Sequence, residues 1–190
     1  MAMKLANTRV LLKCHHGSHL YGLSTPTSDL DYYEIFEYPW QKYRPRKQVS
    51  QVIKDDVDLT ETSLDRFQDM CFKGIPQSLE ALFAGEQHWV KYHTSWYDKR
   101  ESIENNLHIY HMDIIETYKR TALNFFLKDD FKKNRHAFRL MHNINEFKQC
   151  GRFDPTLNIN TRESITRTAV LPRQRREEIF LDLFYNTFYQ

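Results

Sequence analysis

Asp29 and Asp31 are separated by a single residue at the start of a β-prone stretch, and they are the side chains with the clearest chemical potential in the sequence. On a strand, residues i and i+2 project to the same face, about 6–7 Å apart. Two carboxylates held that way repel each other, and a structural role gives no reason to keep both. A divalent cation resolves the conflict. Magnesium takes oxygen ligands and is commonly held by one or two carboxylates together with substrate phosphates. A third carboxylate from a neighbouring strand would complete a two-metal site, with ions about 3.5–4 Å apart. Asp58, and Asp56 two residues before it, sit on the next β-prone stretch.

A second chemical element lies upstream. Gly17-Ser18 follows a short apolar run directly and precedes His19 to Gly22, which could open a helical turn. Free backbone N–H groups at such a point form an anion site, and a glycine lets a phosphate approach the backbone closely. Ser18 adds a hydroxyl donor, and Ser28, just ahead of the acids, adds another on the nucleotide side. A phosphate cradle followed by an acidic pair suits a nucleoside triphosphate bound with Mg²⁺ or Mn²⁺. Neither half is specific alone. Without the rest, Asp29 and Asp31 would read as a solvated turn after Pro26 capped by Ser28.

The elements that must position these residues follow from patterning. Arg9 to His15 reads as a buried strand, Leu30 to Tyr38 as a second strand ended by Pro39, and Gln51 to Leu59 as a third. The polar, basic run Gln41 to Ser50 reads as a loop. Thr60 or Ser63 is expected to cap a helix running to Lys73, and a short helix follows at Gln77 to Phe83. From Asp98 onward strand patterns vanish. Helical periodicity predicts one long helix from Ile103 to Phe126, another from His136 to Lys148, and an aromatic helix from Glu177 to Tyr189. Strands first and helices after predict an α+β fold: a core over residues 1–95 and a helical C-terminal lobe over 96–190, as two lobes or one compact unit.

Composition narrows the setting. A formal charge of +2 is too small to diagnose nucleic-acid binding. No apolar run approaches the ~20 residues of a membrane span, and Met1 to Val10 lacks the apolar stretch of a signal peptide. Cys14, Cys71 and Cys150 are odd in number and widely spaced, which predicts a reduced, cytoplasmic protein with three buried thiols. His15, His16 and His19 lack the further ligands of a zinc site and read as surface or substrate-edge residues; His108 and His111 read as ordinary helix residues. The basic stretch Arg162 to Arg176 is either a grip on nucleic-acid phosphate or a solvated connector. Nothing in the sequence fixes the oligomeric state.

Taken together, the strand, Gly-Ser, acid pair, strand and further acid resemble the DNA polymerase β-like nucleotidyltransferase superfamily. Residues 17–31, GSHLYGLSTPTSDLD, are similar to the GSxxYGxxTPxSDxD block of the branch that includes the RNA-ligase-associated group. The resemblance continues through DLTETSLDRFQDMCFKGIPQSLEALF and KNRHAFRLMHNINEF, and spans about Cys14 to Arg162. It implies the superfamily's mixed twisted sheet with flanking helices. It also implies that Gly17 and Ser18 engage the β- and γ-phosphates, that Asp29 and Asp31 hold both metals, and that Asp58 holds the catalytic metal and helps activate the acceptor hydroxyl. The alignment of Leu64 to Phe67 favours Asp58 over Asp56 as third acid. His136 and Arg139 match family positions and are expected either to touch the nucleotide or to serve a structural ion pair. The chain departs from the pattern at Tyr32-Tyr33-Glu34, where a glycine-containing step is usual, and at Ile75, which replaces an asparagine.

The implied activity is transfer of a nucleoside monophosphate from an NTP to an acceptor hydroxyl with release of pyrophosphate. RNA, in end repair or modification, is the leading acceptor. A protein hydroxyl, as in toxin–antitoxin-type members, is the alternative, followed by a small molecule such as an antibiotic. A non-catalytic nucleotide- or RNA-binding relative is the contrasting class.

Overall fold

A computed structural model of the chain describes residues 8–38, 49–54 and 57–189. Five strands form one mixed sheet: β1 (Arg9–His15), β2 (Leu30–Glu37), β3 (Val49–Lys54), β4 (Val57–Ser63) and β5 (Trp89–Tyr92), in the spatial order β3-β4-β2-β1-β5. β2 lies at the centre, antiparallel to β1 and parallel to β4. This central position brings the end of β1, where Gly17 begins, beside the start of β2, where the acids lie.

The eight α-helices among the described residues are α1 (Gly17–Tyr21), α2 (Leu64–Phe72), α3 (Pro76–Phe83), α4 (Ser95–Glu104), α5 (His111–Phe126), α6 (Phe131–Cys150), α7 (Ile159–Ala169) and α8 (Arg173–Tyr189). α2 packs on β2 and β4, and α4 on β1, while α5, α7 and α8 gather around α6. The α+β class expected from the sequence is the one observed. A single cluster of buried side chains runs from Leu11 through Phe67 and Trp96 to Ile144 and Phe180. Within it the Phe67 ring meets Tyr33 edge-on at 5.9 Å, and Phe126 stacks on Phe180 at 3.9 Å. Aromatic pairs in these geometries stabilise a core beyond the area they bury.

Several expectations are corrected. The expected third strand is two antiparallel strands, β3 and β4, and Asp58 belongs to the second. Thr60 lies inside β4, and the helix begins one residue after Ser63. The strand β5 was not foreseen. The long helix breaks at Asn105-Asn106: the Asn106 side-chain amide donates to Ser102 O at 2.7 Å, and a 3₁₀ turn over Leu107–Tyr110 follows. Asparagine side chains compete with helical backbone bonds in this way. The break changes helical phase so that Tyr110 stacks on Phe72 at 4.3 Å. α6 begins at Phe131, capped by Asp130, whose Oδ1 accepts from Lys133 N at 2.9 Å. Arg162 to Arg176 spans parts of two helices rather than a connector; α7 escaped notice because only Ile165 and Ala169 of it are buried.

Gly74 ends α2 in the left-handed region at φ 68°, and a Cβ there would lie 2.5 Å from Ile114 Cα. That glycine both terminates the helix and lets α5 approach. Cys14 and Cys71 are buried, whereas Cys150 is exposed at the end of α6, against the expectation of three buried thiols. Pro39, residues 41–48 of the expected loop, and Asp56 lie outside the described residues. Among the described residues no helix is long and apolar enough to cross a membrane.

Candidate active site

The sheet brings two of the three expected acids side by side. Asp31 on β2 and Asp58 on β4 are direct register partners across parallel strands, at a strand spacing of about 4.8 Å. Asp29 immediately precedes β2 and is exposed. Burial pushes the Asp31 carboxyl above its ordinary range, and repulsion from Asp58 and then Asp29 adds to the shift, while Lys132 and His19 oppose it. The three carboxylates therefore share one electrostatic neighbourhood. Asp58 Oδ2 accepts from Gln51 Nε2 at 2.6 Å, and its buried Oδ1 has no hydrogen-bond partner among the described residues. Among the described residues, no three His, Cys, Asp or Glu side chains converge closely enough to hold a metal ion as they stand.

Gly17 faces this group directly. It adopts φ 58°, and a Cβ there would fall 1.8 Å from Asp31 Oδ2. His16 N donates to Asp31 O at 2.8 Å, which ties the turn after β1 to β2 at the acid itself. His16 caps α1 without a side-chain hydrogen bond, so α1 starts without side-chain capping of its leading N–H groups. Ser18 is part-exposed on the first turn. Ser28 is occupied locally: its Oγ accepts from Thr25 N at 2.8 Å, which shapes the turn that delivers Asp29.

His136 and Arg139 are placed differently. Arg139 is 3% exposed, donates to Glu80 Oε1, and lies with its guanidinium carbon 3.7 Å from the Tyr21 ring centroid. His136 sits between the rings of Tyr21 and Phe125, at 6.2 and 5.6 Å. Burial, then Arg139, lowers its pKa to about 3. His16 is partly covered, its side chain 12% exposed beside the buried Glu80. Lys132, Gln51 and Glu80 also lie beside the candidate residues and were not expected from the sequence. Lys132 precedes the expected start of its helix, and Gln51 opens the expected third strand but was not expected to lie on a separate edge strand paired with the one that carries Asp58; Glu80 lies inside the quoted EALF segment and could have been singled out.

Of the basic stretch, Arg162 reaches inward, donating to Gly22 O at 2.9 Å. Arg167, Arg173, Arg175 and Arg176 pair with Glu163, Glu177, Glu178 and Asp129. The arginines of α7 and α8 are thus largely matched by nearby acids.

The central strand thus carries one acid beside a parallel neighbour carrying another, with a glycine-led turn packed on the first. The family model described as "RlaP: RNA repair pathway DNA polymerase beta family" matches residues 2–178, and the chain belongs to that family. The comparison with curated proteins finds no match. Among solved structures, a nucleotidyltransferase-like protein from Exiguobacterium sibiricum 255-15 aligns at a TM-score of 0.40 and 9% identity, over 94% of this chain and 68% of that one.

Proposed function

We propose that this chain transfers a nucleoside monophosphate from an NTP to a hydroxyl of RNA, releasing pyrophosphate, with Mg²⁺ or Mn²⁺ as cofactor. The observation that carries the reading is the side-by-side placement of Asp31 and Asp58 next to a glycine whose Cβ position the Asp31 carboxylate already fills. RNA is favoured as acceptor by the description of the family to which the chain belongs.

The residues fit a divalent cation chemically. The donors are hard carboxylate oxygens, Asp31 is repelled by both neighbouring acids, and Asp58 Oδ1 is buried without a hydrogen-bond partner among the described residues. Asp29, Asp31 and Asp58 would hold the metal. When bound, the cation would neutralise charge developing on the triphosphate and acidify the acceptor hydroxyl.

The chain's own groups do the rest. The backbone amides at Gly17 and Ser18, with the Ser18 hydroxyl, receive the β- and γ-phosphates. Lys132, the cation that acts on Asp31, adds positive charge on the same side. Asp58 Oδ1 accepts the proton of the acceptor hydroxyl as its oxygen attacks the α-phosphorus. The bond from that phosphorus to the bridging oxygen breaks, and pyrophosphate leaves with the electron pair. Ser28 shapes the turn before Asp29.

The test is incubation with each α-labelled NTP and total RNA or cell lysate, followed by nuclease and protease treatment. Label released by ribonuclease supports the proposal. Label released by protease replaces RNA with a protein hydroxyl, and label in small molecules replaces it with a metabolite.

A further inference from the structure

A buried carboxylate needs a compensating charge. Glu80 on α3 is fully buried, and Arg139 on α6 supplies that charge at Oε1. The other oxygen serves a different element. The Tyr21 hydroxyl donates to Oε2, and His16 Nε2 lies 3.6 Å from the same atom. Tyr21 is the last residue of α1 and His16 is its N-cap. Both ends of the short helix that carries Gly17 and Ser18 therefore meet one carboxylate.

Further contacts fix the same helix. His16 Nε2 is 3.2 Å from Gln77 O, to which it must donate because a carbonyl only accepts. The Arg139 guanidinium covers the Tyr21 ring, a cation–π contact with a desolvated arginine. Arg162 and Arg135 hold the carbonyls of Gly22 and Leu23, just beyond the helix. A five-residue helix has almost no stability of its own, because nucleation consumes what its few hydrogen bonds return. The conformation of α1 must come from these outside contacts.

We propose that Glu80, Arg139 and Tyr21 form a positioning network that fixes α1, so that the Gly17-Ser18 amides stay aimed at the triphosphate. Arg139 acts through Glu80 and Tyr21 and does not touch substrate. The inference rests on the nucleotidyltransferase reading above. An amide cradle grips the β- and γ-phosphates alike in the ground and transition states. Loosening it raises KM for the nucleotide and leaves kcat nearly unchanged.

Tyr21→Phe in the full chain tests this, since it removes one hydroxyl and leaves the Glu80–Arg139 pair intact. Nucleotide KM, kcat and the Kd for each Mg–NTP are measured beside thermal stability. Phe180→Leu, a core change on α8 far along the chain from α1, serves as the comparison. A hydrogen bond to a charged group corresponds to about tenfold or more in an equilibrium constant, so Tyr21→Phe should raise KM and Kd about tenfold with kcat within about twofold. Phe180→Leu should lower stability and leave both constants unchanged. If wild type binds NTP and Tyr21→Phe binds it equally well, the network does not position the cradle. An equal loss of affinity in Phe180→Leu would make the effect general destabilisation and overturn the inference too. If wild type binds no NTP, the nucleotide reading fails, and the inference fails with it.

Discussion

The Asp31 carboxylate fills the space in which a side chain at residue 17 would begin, with Oδ2 1.8 Å from the Cβ position of Gly17. The Gly17 turn and the acid are thus a single packed unit. Replacing Gly17 by Ala forces Asp31 aside and places a non-glycine residue at φ 58°. The backbone penalty alone is about 1 kcal/mol, a shift of several degrees in Tm. Displacing the acid should cost more in function: at least about a hundredfold in kcat/KM, a size reached when a catalytic group is moved by an ångström. Steady-state kinetics with thermal melts checks both, and an active Gly17→Ala enzyme would detach the turn from the site.

Asp58 is the register partner of Asp31, which supports the proposal that it, rather than Asp56, is the third acid. Asp58→Asn should lower kcat about 10²–10⁴-fold, the range of general-base help, with little change in nucleotide KM. Asp56→Asn should retain most activity. Single-turnover assays decide between them; an inactive Asp56→Asn beside an active Asp58→Asn would reassign the triad.

Asp31 also makes a stability prediction. Burial, and then repulsion from Asp58 and Asp29, hold its carboxyl above the ordinary range. The folded chain therefore holds the Asp31 proton more tightly than the unfolded chain does. Its contribution to stability is fully present below about pH 4, the unfolded value, and is lost as pH rises through the raised folded value. At pH 7 without metal, Asp31→Asn should melt higher than wild type, and the gap should close near pH 4. Added Mg²⁺ should raise the wild-type Tm by linkage and leave the variant unmoved. A variant that melts lower at pH 7 would contradict this.

His136 gives the opposite sign. Its pKa falls to about 3 in the folded chain, through burial first and Arg139 second. The unfolded chain takes up a proton on this side chain below about 6.5 that the folded chain refuses. The stability it supports is complete above that value and is lost as pH falls from about 6.5 toward 3. Denaturant unfolding across this range should show a shallower acid slope in His136→Gln than in wild type, and equal slopes would remove the assignment.

The candidate site was legible in the sequence where chemistry and spacing were local. Gly17, Ser18, Asp29 and Asp31 lie within one short block, although β2 begins only at Leu30, so Asp29 stands just ahead of the strand and not on it as expected. Asp58 was reachable because β4 carries a recognisable β pattern, although β3 and β4 read as one strand. What stayed hidden depends on tertiary partners. Arg139 looks alike in sequence whether it meets a phosphate or a buried carboxylate; only folding shows Glu80 beneath it. Gln51 reaches Asp58 from an edge strand whose residues are mostly exposed and so carry little alternation. The charged face of α7 masked its helical period, because i,i+4 pairing such as Arg167 with Glu163 leaves few apolar positions.

Label transfer tests the central claim most directly. Wild-type chain, Asp31→Asn and Asp58→Asn are each incubated with Mg²⁺, total RNA and the four NTPs, labelled in parallel reactions at the α- or the γ-phosphate. The account predicts that wild type places α-label in a ribonuclease-sensitive product and releases γ-label as pyrophosphate in equal amount, and that both variants do neither while remaining folded. Transfer of γ-label to an acceptor, or α-label transfer undiminished in the two variants, would contradict it.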